Sequence, residues 1–217
     1  MNRTHIYAAG LALGILIFAG CGVGDKSVPQ DGIVKFSIDG TAYSIPSLQF
    51  EIQPNNVGDM SAMHKEVISI KKGKNDFGFW INPTQAYKES FHGNAEAVAK
   101  VNWLQFSWFT ETEDPLNYLK TVGKVTSQNS REPIWDITLP DAQMEYQTRV
   151  ADVNNIGKQI DQTDMWIQFD EVTADRVKGH FGGSVFAHAP HNALETRTTQ
   201  ITDGQFDLPI AILYKYE

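Results

Sequence analysis

The stretch IVKFSI-DG-TAYSI (33–45) limits what this chain can fold into more than any other. Val34, Phe36 and Ile38 alternate with Lys35 and Ser37. Side chains two apart share one face of a strand, so this is the pattern of a half-buried strand and not of a helix. Asp39-Gly40 follows at once, and a type I′ turn needs positive φ at both of its central residues. Thr41–Ile45 is then the returning strand, and Pro46 ends it. The unit is an antiparallel hairpin with one apolar face, which must find a second layer.

The same grammar continues along the chain. Strands are expected at Leu48–Gln53, Glu66–Lys71 and Phe77–Asn82, with the charged KKGKND (71–76) as a solvated hairpin tip. Asn82-Pro83 carries the signature of a helix start, and a helix of about two turns is expected over 83–91. Ala97–Thr110 reads as a strand with Trp103, Gln105, Ser107 and Phe109 on one face and Leu104, Phe106 and Trp108 on the other. Asp114-Pro115, then Leu116, Leu119 and Val122 before Gly123, predicts a short capped helix. Further strands are expected at Ile134–Leu139, Ala142–Val150, Met165–Val172 and Arg176–His188. Ala151–Thr163 and Pro190–Glu195 read as loops. Thr198–Thr202, an Asp203-Gly204 turn and Gln205–Tyr216 form a last hairpin.

About ten strands spaced by turn signals, with one or two short peripheral helices, make an all-β domain. An antiparallel sandwich is the expected architecture, and a closed barrel is the alternative, since both use the same alternation. The five Trp, twelve Phe and seven Tyr suit a β-rich core.

Ahead of the domain lies Ile6–Gly20, a short apolar run led in by Arg3 and followed by Cys21, the single cysteine of the 217 residues. A basic start, an apolar core and small residues before a cleavage point define a secretory signal. The run falls short of the roughly 20 residues that a membrane span needs. The ending F-A-G-C resembles the lipobox of bacterial lipoproteins, with Phe18 where Leu is usual. The resemblance implies that residues 1–20 are removed as a signal peptide and that Cys21, diacylated, becomes the first residue of the mature chain. Residues 21–31 would then be the lipidated N-terminus and a flexible tether, and 32–217 one β-rich domain. Gly22 replaces the Asp that retains many such proteins in the inner membrane, which favours the outer membrane. With Cys21 given to lipid, no disulfide, cysteine zinc site or cysteine nucleophile remains.

A second likeness sits near the C-terminus. FDEVTADRVKGHFGGSVFA and ITDGQFDLPI resemble the ending of small uncharacterised β-rich bacterial lipoproteins. The matching residues are Arg176, Val177, Gly179 and Phe181, then Thr202, Gly204, Phe206 and Asp207. The likeness implies a β-domain and brings no activity.

The formal net charge is −8, and of 18 basic residues only Arg3 precedes Cys21. So acidic a domain is a poor ligand for nucleic acid or anionic head groups. Candidate chemistry is sparse. His180 and His188 would share a strand face about 26 Å apart, at about 3.3 Å per residue, too far for one metal. His188 and His191 flank Pro190 and are the closest approach to a ligand pair, without a third member. DVNNIGKQIDQT (152–163) lacks the ligands of an EF-hand, having Ile156 and Thr163 at required positions. GGSVF (182–186) lacks the last glycine of a nucleophile elbow and sits inside a strand. Glu111, Glu113 and Asp114, and Asp170-Glu171, are acidic clusters whose spatial separation decides whether they can work as a pair. Trp103 and Trp108, pointing to opposite faces, are the candidate ligand platforms.

These features predict an exported protein held to the bilayer through acylated Cys21, without cofactor, acting as a non-enzymatic binding or interaction module for a protein or glycan. A glycan- or lipid-binding domain with an aromatic-lined cavity is the alternative, and a hydrolase using acidic residues the third reading.

Overall fold

The computed structural model describes residues 32–55, 67–84, 100–126, 129–140, 143–151, 159–189 and 192–217, with residues 87, 93, 94 and 96 besides. Cys21, the apolar run before it, the tether, segment 152–158 and His191 lie outside the described residues.

The strands are β1 (Gly32–Ile38), β2 (Thr41–Pro54), β3 (Ile68–Ile70), β4 (Asn75–Pro83) and β5 (Trp103–Thr112). Helix α1 (Pro115–Thr121) follows, then β6 (Lys124–Thr126), β7 (Arg131–Leu139), β8 (Met144–Gln147), β9 (Arg149–Ala151) and β10 (Gln159–Gln162). The chain ends with β11 (Met165–Val172), β12 (Arg176–Ala189), β13 (Asn192–Ile212) and β14 (Tyr214–Tyr216).

The all-β expectation holds, and the closed barrel, not the sandwich, is the arrangement. Eight strands pair antiparallel in the ring β1-β2-β4-β5-β7-β8-β12-β13, and β13 returns to β1. Strand β12 is long enough to serve two neighbours on one edge. Its first half pairs with β11, which carries β6, and its last residues pair with β8. Beyond the start of β1, β13 and β2 meet directly in parallel at Ile210–Ile212 and Phe50–Ile52. Closure removes the free edges that an open sheet must protect.

Alternation sorts the side chains. Val34, Phe36 and Ile38 of β1 point inward, as do Phe77, Phe79 and Ile81 of β4 and Leu104, Phe106 and Trp108 of β5. The interior is filled by rings. Trp108 stacks on Phe79 with centroids 5.3 Å apart, Phe106 meets Phe181 edge-on at 5.1 Å, and Phe50 meets Phe169 at 5.8 Å. Each buried ring contributes on the order of 2–3 kcal/mol from area alone.

Local chemistry explains the joints. The Asp39-Gly40 turn forms as expected, with φ of 50° and 77°. The Asp39 carboxylate accepts from Arg197 Nη2 at 2.8 Å and from the Thr199 hydroxyl, tying the turn to β13. Helix α1 also forms where expected. The Asp114 carboxylate accepts from the Asn117 N–H at 3.0 Å, Pro115 opens the first turn, and Gly123 follows with φ of 68°.

Several expectations change; the loop expected over 151–163, for one, contains strand β10, which pairs with β9. Pro46 does not end a strand; it sits inside β2, where β1 takes a register shift and Ser47 adopts a φ of 60°. Asp203-Gly204 is not a hairpin turn. Strand β13 runs through it, and the positive φ of Asp203 (55°) serves a β-bulge against both β1 and β12. The expected loop at 190–195 is strand from Asn192 on. The helix expected at 83–91 falls largely outside the described residues; Pro83 itself closes β4.

The C-terminal motif proves to be packing. Gly179 and Phe206 are cross-strand partners, and so are Phe181 and Gly204. A Cβ on Gly179 would lie 2.5 Å from the Phe206 ring, and one on Gly204 would lie 2.8 Å from the Phe181 ring. Each ring therefore occupies the space of the opposite glycine's missing side chain. Arg176 Nε donates to Asp207, fastening the same pair of strands.

Candidate functional site

Among the described residues a groove of about 540 Å³ lies on the outer wall, across β11, β12, β13 and β1. Strand register builds it as two adjacent rows. Lys35 faces Gln205, and Gln205 faces His180. In the next row Ile33 faces Asp207, Asp207 faces Lys178, and Lys178 faces Glu171. Directly opposed residues have Cβ atoms about 5 Å apart, so the side chains of each row are neighbours.

A bulge supplies the far wall. The β11–β12 register shifts between Phe169 and Glu171, so Asp170 is an extra residue on its strand. Phe169 keeps its ring in the core against Phe206, while both Asp170 and Glu171 are exposed. Bulges re-aim side chains in this way beside functional sites. Asp170 thereby reaches His180, whose Nδ1 lies 2.5 Å from Asp170 Oδ2. That contact leaves Nε2 as the ring nitrogen available to the groove.

The charges are largely matched. Lys178 Nζ lies 3.4 Å from Glu171 and 4.0 Å from Asp207, and Asp207 also accepts from Arg176. Among the described residues no carboxylate is within ion-pair reach of Lys35. Ile33 and the edge of the otherwise buried Phe206 give the groove an apolar side. The arrangement offers charged and neutral hydrogen-bonding groups around one small apolar surface.

The residues singled out from sequence fall elsewhere. Trp108 is fully buried in the barrel and is a core residue, not a ligand platform. Trp103 is half-buried on the outward face of β5. Register brings it into one row with His188, through Thr138 of β7 and Glu145 of β8. His188 is only 5% exposed, and its Nδ1 lies 3.1 Å from the Ala189 carbonyl and 3.8 Å from Glu145 Oε2. His191, its expected companion, lies outside the described residues, as does the lipid acceptor Cys21.

Beside this row is a carboxyl group under strain of another kind. Asp136 of β7 sits diagonal to Glu145. Burial pushes its pKa up to about 6, Glu145 adds to the rise, and His188 opposes it. Sequence reading passed over Asp136, Glu145, Lys35 and Gln205, because none belongs to a local motif. The residues of the groove that the sequence did single out, Asp170-Glu171 as an acidic cluster and His180 as a histidine, are brought into a His–Asp contact by the bulge. Comparison of the chain with protein-family models, with curated proteins and with solved structures finds no match.

Proposed function

We propose that this chain is a lipid-anchored envelope protein, attached through acylated Cys21, whose barrel is a non-enzymatic binding module that docks its ligand on the outer wall. One observation carries the docking half. The barrel interior is occupied by its own rings, whereas the wall over β11-β12-β13-β1 is an exposed, mixed-charge groove. The aromatic side chains that would line an internal glycan or lipid cavity pack on each other instead. The anchoring half rests on the F-A-G-C ending of the apolar run and on Cys21 being the sole cysteine. The acidic balance argues that acyl chains and not surface charge hold the protein to a bilayer. Gly22 after the acceptor, where Asp would favour retention in the inner membrane, supports the outer membrane as its place.

Two measurements test the reading. A palmitate analogue should label the wild-type protein and not Cys21→Ser; equal labelling removes the anchor. A photo-crosslinking residue at Gln205 should capture a reproducible partner from whole envelopes, while the same residue at Lys120, exposed on α1, should not. Capture from Lys120 alone, or from neither position, removes the groove as the docking surface.

A further inference from the structure

We infer that β6 is a strand-pairing edge that the corner Asn129-Ser130 keeps shut, and that a second copy of β6 is the strand it shuts out. Ring closure does not protect β6. It is the end strand of the large sheet and, among the described residues, has β11 as its neighbour on one side only. In an antiparallel pair, alternate residues turn their main-chain groups to the partner and the others turn away. The Phe169 N–H donates to the Gly123 carbonyl, which sets Gly123, and with it Val125, on the β11 side. The main-chain groups of Lys124 and Thr126 therefore face outward along the edge. An open row of that kind is a template for another strand.

The chain fills this row itself. The Lys124 N–H donates to the Val122 carbonyl at 2.8 Å. The Lys124 carbonyl accepts from Asn129 Nδ2 at 2.9 Å, and the Thr126 N–H donates to Asn129 Oδ1 at 2.7 Å. The Thr126 carbonyl accepts from the Ser130 hydroxyl at 2.5 Å. One side-chain amide thus bonds the carbonyl of one residue and the N–H of the residue two further on, which is what a peptide unit of a parallel neighbour strand does. The Asn129 N–H donates to the Thr126 hydroxyl at 3.2 Å and holds the corner in place. Side chains of this type satisfy main-chain groups at many corners. Here they cover the outward groups of the whole strand, and the strand they cover is self-complementary. A second β6 laid antiparallel about a two-fold axis at Val125 sets Lys124 against Thr126 in both directions. Every outward N–H then meets a carbonyl, and no lysine faces a lysine. The copy needs the groups that the corner holds, so the two compete.

The test uses the full-length protein in detergent, with self-association followed by sedimentation velocity over a concentration series and the Thr126 amide followed by hydrogen exchange. Asn129→Ala should strengthen self-association at least about tenfold over wild type, the worth of the two edge bonds it releases. At concentrations where it is a monomer, its Thr126 amide should exchange faster than in wild type. Asn129→Asp keeps the acceptor for Thr126 and loses the donor to Lys124, so it should move both readouts the same way and less far; it carries the test by itself if Asn129→Ala does not fold. Adding Thr126→Pro to either variant removes an edge N–H, at a position where an edge strand tolerates proline, and should return it to wild-type self-association. Self-association equal to wild type in the folded variants overturns the inference. So does a dimer that survives Thr126→Pro, because it pairs elsewhere, and so does an unchanged Thr126 exchange rate, because the corner is then not what closes the edge.

Discussion

Strand β12 holds two histidines in opposite conditions. His180, in its first half, is 52% exposed and in contact with Asp170. His188, in its last turn of pairing, is 5% exposed and 3.8 Å from Glu145, with Asp136 behind. The first half borders β11 and presents a grid of charges that water still reaches. The second half borders β8 and folds its charges under cover. Exposed charges are held loosely and can be traded for a ligand's charges at little loss. Covered ones set a pH-dependent stability instead. One strand therefore separates a grid of charges that solvent reaches from a covered group whose ionisation makes stability depend on pH.

The comparison is broken most forcefully at the glycine beneath the grid. Gly179→Ala puts a Cβ 2.0 Å from the Gln168 carbonyl oxygen and 2.5 Å from the Phe206 ring. The carbonyl belongs to the neighbouring strand and cannot rotate away. A loss of about 3 kcal/mol is expected in urea unfolding, with collapse of the groove.

The covered half comes next. Asp136 binds its proton more tightly folded than unfolded, so between about pH 4 and pH 6 the folded state holds the extra proton. Stability therefore falls as pH rises through that window and stays low above it. Asp136→Asn removes the ionised form. It should stabilise the protein by about 2 kcal/mol at pH 7.5, and the gain should vanish near pH 4. Denaturant midpoints at the two values check this; a gain equal at both would show that packing and not charge is responsible.

A smaller effect is expected from His188→Ala. Its removal takes away the group that opposes the rise at Asp136, so the Asp136 carboxyl should titrate higher, by less than about one unit in carboxyl-carbon NMR. The smallest is His180→Gln. Because that ring and its partner are both open to solvent, unfolding should change by no more than about 0.5 kcal/mol. A large loss there would erase the contrast between the two halves.

Much of the fold could be read from local sequence, and little of the site. The hairpin at Asp39-Gly40, the inward set Leu104, Phe106 and Trp108, and the helix capped by Asp114 all depend on residues within a few positions of one another. Barrel closure depends on β1 meeting β13, and alternation says nothing of partners so distant. Asp203-Gly204 misled for a related reason. Positive φ is shared by a tight turn and a bulge, and the Phe181 ring lying over Gly204 selects the bulge. The groove is harder still. Lys35, Asp170, His180 and Gln205 come from four strands and meet only through register, helped by one extra residue in β11. Trp108 carried a signal strong in sequence that belonged to the core; Lys35 carried none.

The pairing of β13 with both β12 and β1 sets an order on assembly. A nascent chain that has emerged through residue 190 possesses seven of the eight wall strands and still has two open edges, since residues 192–212 are the stave that joins them. Until that stave arrives, β1 and β12 are templates for any passing strand. A product cut short before it should therefore aggregate or be degraded instead of persisting as a smaller barrel, and the barrel should close only once residues 192–212 have been made.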